Sequence, residues 1–307
     1  MHLNRQKQGD VMEKRPAWLT RPAPDEQVLG RMKALLEQGR LHTVCESADC
    51  PNIGQCFAEK TCTFMILGNT CTRDCRFCAV QHGRPDDIDA GEPGAVAATA
   101  KHLGLRHVVI TSVTRDDLCD GGATHFAATI RAVRAELPQA TVEVLIPDFR
   151  GSMAALQTVL AAGPDVINHN TETVPRLYPV VRPQANYHQS LRLIERVRQS
   201  GSGVVTKSGL MLGLGEKETE VIQVMADLHG AGCQMLTLGQ YLSPSPRHLP
   251  VAAYVHPDTF RRLADRAYQL GFSTVTAGPL VRSSFHAGNA FAEVAVSRQI
   301  HIGPGRQ

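Results

Sequence analysis

The feature that most constrains this chain is an apolar run, Thr63-Phe64-Met65-Ile66-Leu67, closed by Gly68 and followed at once by Cys71, Cys75 and Cys78 in C-x3-C-x2-C spacing. A strand that empties into a thiol-rich loop places soft ligands at one end of a sheet. A short loop of this kind folds round a cubane at little cost in loop closure. Its three thiolates can hold three irons of a four-iron four-sulfur cluster and leave the fourth iron open to another ligand. A closed electron carrier would be expected to bring a fourth cysteine. Taken alone, the spacing also allows a structural zinc knuckle or a set of reduced thiols.

From Thr63 onward, short β-rich runs alternate with helical patterns. Strands are expected at Thr63 to Leu67, His107 to Thr111, Thr141 to Ile146, Asp165 to Asn168, Gly203 to Leu212, Gln234 to Leu238 and Ser273 to Thr276. Helices are expected near Gly94 to Leu103, Ala123 to Leu137, Met153 to Ala162, Tyr187 to Ser200, Glu218 to Ala231 and Pro257 to Leu270. This alternation predicts an α/β fold, a partial (β/α)6 TIM-like barrel, with ligand chemistry at the C-terminal strand ends. The cysteine loop follows the first strand, as that rule requires.

Upstream, Asp25 to Gln38 carries Val28, Leu29, Met32, Leu35 and Leu36 at helical spacing. Next come Cys45, Cys50 and Cys56, whose Pro51, Asn52 and Gly54 predict a loop in which thiols converge without helical geometry. By itself this C-x4-C-x5-C triplet is zinc or chance. Beside the first triplet, a second cluster is the better explanation. The organisation expected is an N-terminal extension over 1–60, a barrel over 61–278 and a C-terminal extension over 279–307 whose last ten residues are a polar tail.

Each expected strand end carries polar residues. Thr111 to Gly122 holds hydroxyls, Asp116, Asp117, Asp120 and a Gly-Gly pair that could accept an amino group and admit close backbone approach. At Asn168-His169-Asn170-Thr171-Glu172, Asn and Glu can bond a ribose diol, and Arg182 offers a charge-assisted contact to a carboxylate. His169 is expected to be packed or backbone-bonded. Lys207 lies on an apolar run and needs a buried partner. Gly213 and Gly215 end a strand. Arg282-Ser283-Ser284 by itself is an ordinary turn.

Together, the two cysteine triplets, the Thr-Phe-Met-Ile-Leu-Gly lead-in, the Asp-Asp…Asp-Gly-Gly loop, Asn-His-Asn-Thr-Glu-Thr-Val-Pro-Arg-Leu-Tyr and Arg-Ser-Ser-Phe-His resemble the lipoyl synthase family of radical S-adenosylmethionine (SAM) enzymes, from about Pro16 to Ala287. The resemblance implies that Cys71, Cys75 and Cys78 hold the SAM-cleaving 4Fe-4S cluster. It implies that Cys45, Cys50 and Cys56 hold an auxiliary 4Fe-4S cluster with Ser283, or failing it Ser284, on the fourth iron. The implied reaction inserts sulfur at C6 and C8 of an octanoyl chain on a carrier-protein lysine, using 5′-deoxyadenosyl radicals and consuming the auxiliary cluster. Thr111, Asn170, Glu172 and Arg182 are the implied SAM contacts. Implied partners are the lipoyl domains of 2-oxoacid dehydrogenase complexes, the glycine cleavage H protein and a low-potential electron donor. A biotin-synthase-like sulfurtransferase would leave the N-terminal triplet unexplained, and a two-cluster electron carrier would not need the barrel.

Composition fits these expectations. With 32 basic and 29 acidic residues the chain carries +3, too little to make a nucleic acid its main partner. No run of about 18 apolar residues predicts a membrane span. Met1 to Arg15 lacks a signal-like apolar core, and six of nine cysteines fall in two triplets, which predicts metal in a reducing cytoplasm over disulfides. Cys62, Cys119 and Cys233 belong to neither triplet. Anaerobic reconstitution is expected to give about eight irons per chain; two zincs and no visible absorption would end the iron-sulfur reading.

Overall fold

The computed structural model describes residues 15–301. Asp25 opens α1 (Glu26–Gln38) because its carboxylate accepts the N–H groups of Gln27 and Val28. After Gly39 the chain forms β1 (His42–Thr43) and turns into α2 (Val44–Ser47). Thr43 caps α2 reciprocally: its hydroxyl oxygen accepts the Glu46 N–H and donates to the Glu46 carboxylate. α3 (Ile53–Ala58) follows. The second triplet is therefore not the irregular loop expected. Cys45 and Cys56 sit on short helices and Cys50 in the turn between them. Pro51, Asn52 and Gly54 mark that turn, and the Thr43-Val44-Cys45-Glu46 capping box marks the helix before it.

The barrel starts with β2 (Thr63–Ile66), then the cysteine loop, stiffened by a two-strand ladder of β3 (Thr70–Cys71) and β4 (Gln81–His82). There follow α4 (Glu92–Leu103), β5 (His107–Ser112), α5 (Ala123–Glu136), β6 (Thr141–Leu145), α6 (Met153–Ala161) and β7 (Val166–Asn168). The chain continues through α7 (Tyr178–Val181), α8 (Tyr187–Gln199), β8 (Val205–Leu212), α9 (Glu218–Gly230), β9 (Met235–Gln240), α10 (Pro257–Leu270) and β10 (Thr274–Gly278). Strand order is β1-β2-β5-β6-β7-β8-β9-β10. Every neighbouring pair is parallel except β1 with β2, where Thr43 faces Phe64. The outcome is an open, partial barrel of six βα units and a closing strand, with one short antiparallel strand added at its first edge.

Besides the short α2, α3 and α7, one long helix was not expected. α11 (Ala287–His301) takes up four of the last ten residues, and the remaining six, 302–307, lie outside the described residues. Its Ala290, Phe291 and Val294 pack on Val166, Val205 and Met235, the first residues of β7, β8 and β9, so it plugs the N-terminal end of the barrel. Phe291 stacks on His107 with ring centroids 5.9 Å apart. Small alanines supply much of the packing face, which leaves little periodic signal in the sequence.

Above this plug, Lys207 has found its partner: its ammonium donates to Glu143 at 2.7 Å, both side chains almost wholly buried. At the other end of the barrel, β9 meets the C-terminal string closely. A Cβ on Gly239 would collide with the Val281 carbonyl, so Gly239→Ala must push the segment that carries Val281 and Arg282 away. The expected cost is about 1–3 kcal/mol in urea unfolding, with the alanine variant also losing iron retention if that segment helps to hold a cluster.

Candidate functional site

At the C-terminal strand ends lies a cavity of about 330 Å³, within the range of small-ligand sites. Its walls include Cys71, Cys75 and Cys78, Thr111, Asn170 and Glu172, Arg182, and Ser283. One cavity thus gathers residues spread over more than two hundred positions of sequence.

The cysteine loop is held from inside by Arg73, whose side chain is 7% exposed. Its Nε and Nη2 donate to Asp116 at 2.6 and 3.0 Å, and its Nη1 and Nη2 donate to Asp148 at 3.0 and 2.7 Å. Burial alone would raise the Asp148 carboxyl, yet the hydrogen bonds and charge of Arg73 hold it down at about 2. Thr72 adds to the clamp: its hydroxyl donates to the Thr114 carbonyl and accepts the Asp116 N–H. The loop's entry is pinned as well. Leu67, at φ +68°, donates its N–H to buried Glu92, and its carbonyl accepts from Arg115 Nη1.

These bonds change the expectation for the Thr111 to Gly122 loop. Asp116 serves Arg73, Asp117 pairs with Arg115, and Asp120 caps the N–H groups of Gly122 and Thr124. None of the three carboxylates lines the cavity, and Gly121 and Gly122 pack against Phe149 and Leu67 instead. What reaches the cavity is Thr111 to Thr114. Thr111 donates its hydroxyl to the Leu145 carbonyl, and the Ser112 hydroxyl is buried without a partner.

Beyond β7 the backbone is strained toward the cavity. Glu172, at φ +65°, is bridged to Leu210, giving its N–H to the Gly209 carbonyl and accepting the Met211 N–H. Burial pushes its carboxyl up. Arg182 Nη1 donates to the Asn170 and Thr171 carbonyls, while its Nε and the Asn170 Oδ1 are buried without partners. His169 is backbone-bonded as expected: Nδ1 meets the Ile146 carbonyl and Nε2 meets Ser190 Oγ, both at 2.9 Å. Burial, aided by the Arg182 charge, pushes its imidazole down to about 4.

The second triplet closes in from the N-terminal side. Val44 and Ala48, flanking Cys45, line the same cavity. Asn52 Nδ2 donates to the Leu280 carbonyl at 2.7 Å, tying this segment to the C-terminal string, and Arg282 lies in the electrostatic field of both Cys50 and Glu172. Of the other cysteines, Cys62 and Cys233 are buried and Cys119 is exposed. Arg196 and Arg198 lie against neighbouring backbone, the former donating to the Gly151 carbonyl.

The thiols suit iron-sulfur ligation. Burial pushes Cys78 and Cys45 up to about 12 and Cys75 and Cys56 up to about 11, so the free thiols keep their protons at neutral pH and a bound metal would stabilise them as thiolates. Backbone N–H groups of Arg73 and Thr114 point at Cys71 Sγ at 3.4 and 3.3 Å, as they would at a cluster thiolate. Among the described residues no three His, Cys, Asp or Glu side chains close on a point that would take a single ion. A cubane has bulk of its own, and its ligands stand at its corners.

Comparison with known proteins agrees. Residues 65–228 match the radical SAM superfamily model. The chain is 57% identical to a lipoyl synthase of Caldanaerobacter subterraneus subsp. tengcongensis over 89% of its own length and 96% of that protein's, and 55% identical to one of Nitrosococcus oceani over 92% and 88%. The chain belongs to the lipoyl synthase family. Its barrel also resembles methylornithine synthase (PylB), with a TM-score of 0.52 over 69% of each chain at 15% identity, a likeness of fold alone. As a lipoyl synthase it inserts two sulfur atoms at C6 and C8 of a protein-bound octanoyl chain, with SAM and 4Fe-4S clusters as cofactors.

Arg73, Asp148 and Glu92 escaped the sequence reading. An arginine inside a cysteine loop and an aspartate just past a strand were the available signals. Arg73→Leu leaves Asp116 and buried Asp148 unpaired and is expected to cost about 3–5 kcal/mol, read by urea unfolding. Because the folded-state carboxyl of Asp148 lies below its ordinary 3.8, its stabilising contribution is complete above about pH 4 and drains away as pH falls toward 2. Acid unfolding of Asp148→Asn should be correspondingly less pH-dependent over that interval.

Proposed function

We propose that Cys71, Cys75 and Cys78 hold the cluster at which SAM is cleaved, and that Cys45, Cys50, Cys56 and Ser283 hold the sulfur-donating cluster. The observation that carries this reading is the shared cavity, which Ser283 lines together with the whole first triplet. The bond from Asn52 to the Leu280 carbonyl supports pairing the second triplet with the C-terminal string. Ser283 is preferred to Ser284 because Ser283 lines the cavity and Ser284 does not. When bound, the clusters and SAM supply the radical that abstracts hydrogen and the sulfide that replaces it. Serine oxygen is a harder, weaker ligand for cluster iron than thiolate, which suits a cluster that is dismantled in use.

Around that chemistry the chain's own groups bind and orient. Arg182 Nε, free of protein partners, is the donor for the methionine carboxylate. Glu172 and Asn170 take the ribose, and the Thr111 oxygen keeps lone pairs for the amino group. Leu145, Ile146, Pro147 and Leu242 make an apolar wall for the acyl chain and keep water from the radical. We further propose the extension, barrel and extension division at residues 60 and 278. Lipoyl domains of 2-oxoacid dehydrogenase complexes and the glycine cleavage H protein are the proposed carriers, a low-potential donor the reductant, and a reducing cytoplasm the setting. Free thiols support the last point. No helix among the described residues is long and apolar enough to cross a membrane.

Mass spectrometry of an octanoyl-lysine peptide after incubation with reduced, reconstituted protein and SAM tests the assignments. Cys75→Ala is expected to abolish SAM cleavage. Cys50→Ala should keep some cleavage but add no sulfur; if it still made lipoyl product, the donor role of the second triplet would be refuted. Ser283→Ala should harm product formation more than Ser284→Ala, and the reverse order would move the ligand by one residue.

A further inference from the structure

Residues 241–256, between β9 and α10, form a long strap without regular structure, the kind of loop that is kept for a purpose. It is stitched down at both ends. Tyr241 OH donates to the Leu249 carbonyl, Ala252 N–H to the Gly213 carbonyl, and Gln240 bonds both the Ala253 carbonyl and the Val255 N–H. Its middle is fastened to the cysteine loop. Leu249 N–H donates to the Arg76 carbonyl at 3.2 Å, and His248 Nε2 meets the Cys78 carbonyl at 3.1 Å. A carbonyl can only accept, so Nε2 carries the proton. Nδ1 of the neutral ring then accepts from Ser245 Oγ at 2.8 Å. The ring is thus a two-ended brace between a tight turn of the strap and the last cysteine of the loop. Just upstream, Leu242 and Pro244 of the strap line the same cavity as Ala79 and Val80.

We propose that His248 is a positioning residue for sulfur insertion. By bracing the strap on the Cys78 carbonyl, it sets the Leu242–Pro244 wall at a fixed distance from the cysteine loop and so aligns the acyl chain with the site where hydrogen is abstracted. The proposal rests on the assignment of Cys78 as a cluster ligand. The brace touches the carbonyl of Cys78 and not its sulfur, so ligation survives its loss while alignment does not.

The test uses full-length reconstituted protein carrying His248→Phe or His248→Gln. Three quantities are measured: iron content, the affinity of unreduced protein for an octanoyl-lysine peptide by calorimetry, and 5′-deoxyadenosine formed per sulfur inserted after reduction. In His248→Phe, iron content and peptide-free SAM cleavage should match the parent. Peptide binding should weaken about fivefold to tenfold, the equivalent of one hydrogen bond, and more 5′-deoxyadenosine should form per sulfur. His248→Gln, whose amide can donate to the same carbonyl, should recover most of the affinity. Parental affinity and coupling in His248→Phe overturns the proposal, as does equal loss in both variants with a lowered melting temperature. Cys78→Ala separates the two layers. Full iron retention there would sink the ligand assignment, whereas iron loss there beside an unaltered His248→Phe sinks only the role of His248.

Discussion

A single guanidinium holds the working end of this barrel together. Arg73 lies within the cysteine loop and reaches down between the loops that follow β5 and β6, where Asp116 and Asp148 take its fork from two sides. Three chain segments that share no secondary structure are thereby fixed to one planar group. Such a buried pairing contributes little net stability compared with apolar packing, but it is costly to break. It therefore favours one loop geometry over its alternatives. A radical enzyme needs that geometry, because ligands displaced by an ångström present a cluster, and whatever binds it, in the wrong place.

The two ends of the barrel are built from different materials. At the N-terminal end α11 lays alanine, valine and phenylalanine over the strand starts, and above it Lys207 and Glu143 neutralise one another. Lys207 Nζ and Glu143 Oε1 are spent on each other there, while Glu143 Oε2 and His107 Nε2, each without a hydrogen-bond partner, stand 3.5 Å apart. At the C-terminal end Ser112 Oγ, Asn170 Oδ1 and Arg182 Nε are buried without partners on residues that line the cavity. Buried polar atoms left unpaired are costly, and a polar ligand relieves that cost. The backbone carries tension at the same end, with Glu172 and Leu67 both held in left-handed conformations.

Much of the barrel was legible because strand and helix periods differ and each βα unit repeats the contrast. Pro257 to Leu270 is observed within its expected limits, and the other expected barrel helices deviate by a residue or two at their ends, while the one-turn α7 was not expected. Where the contrast is weak, the sequence misled. α2 and α3 are too short to show a period, and the turn residues between them dominate the pattern. α11 buries a face of small side chains, so its sequence resembles an exposed tail. The acidic residues Asp116, Asp117 and Asp120 suggest ligand binding because a barrel mouth is where a carboxylate would meet a ligand. In the fold each is already bonded within the protein.

What the sequence determined by itself is the chemistry of the parts: two thiol triplets, a strand ahead of one of them, and an alternation that allows few folds other than a parallel barrel. Residue type and local spacing carry that information. Which parts meet was decided only in three dimensions. Ser283 comes to the wall that carries Cys71, Asn52 ties to Leu280, and Arg73 pairs with Asp116 and Asp148, 43 and 75 positions away, and not with Asp74 beside it. Those partnerships follow from how β2, β5, β6 and β10 lie in the sheet. No local pattern records them, because contact between distant residues is a property of the packed chain.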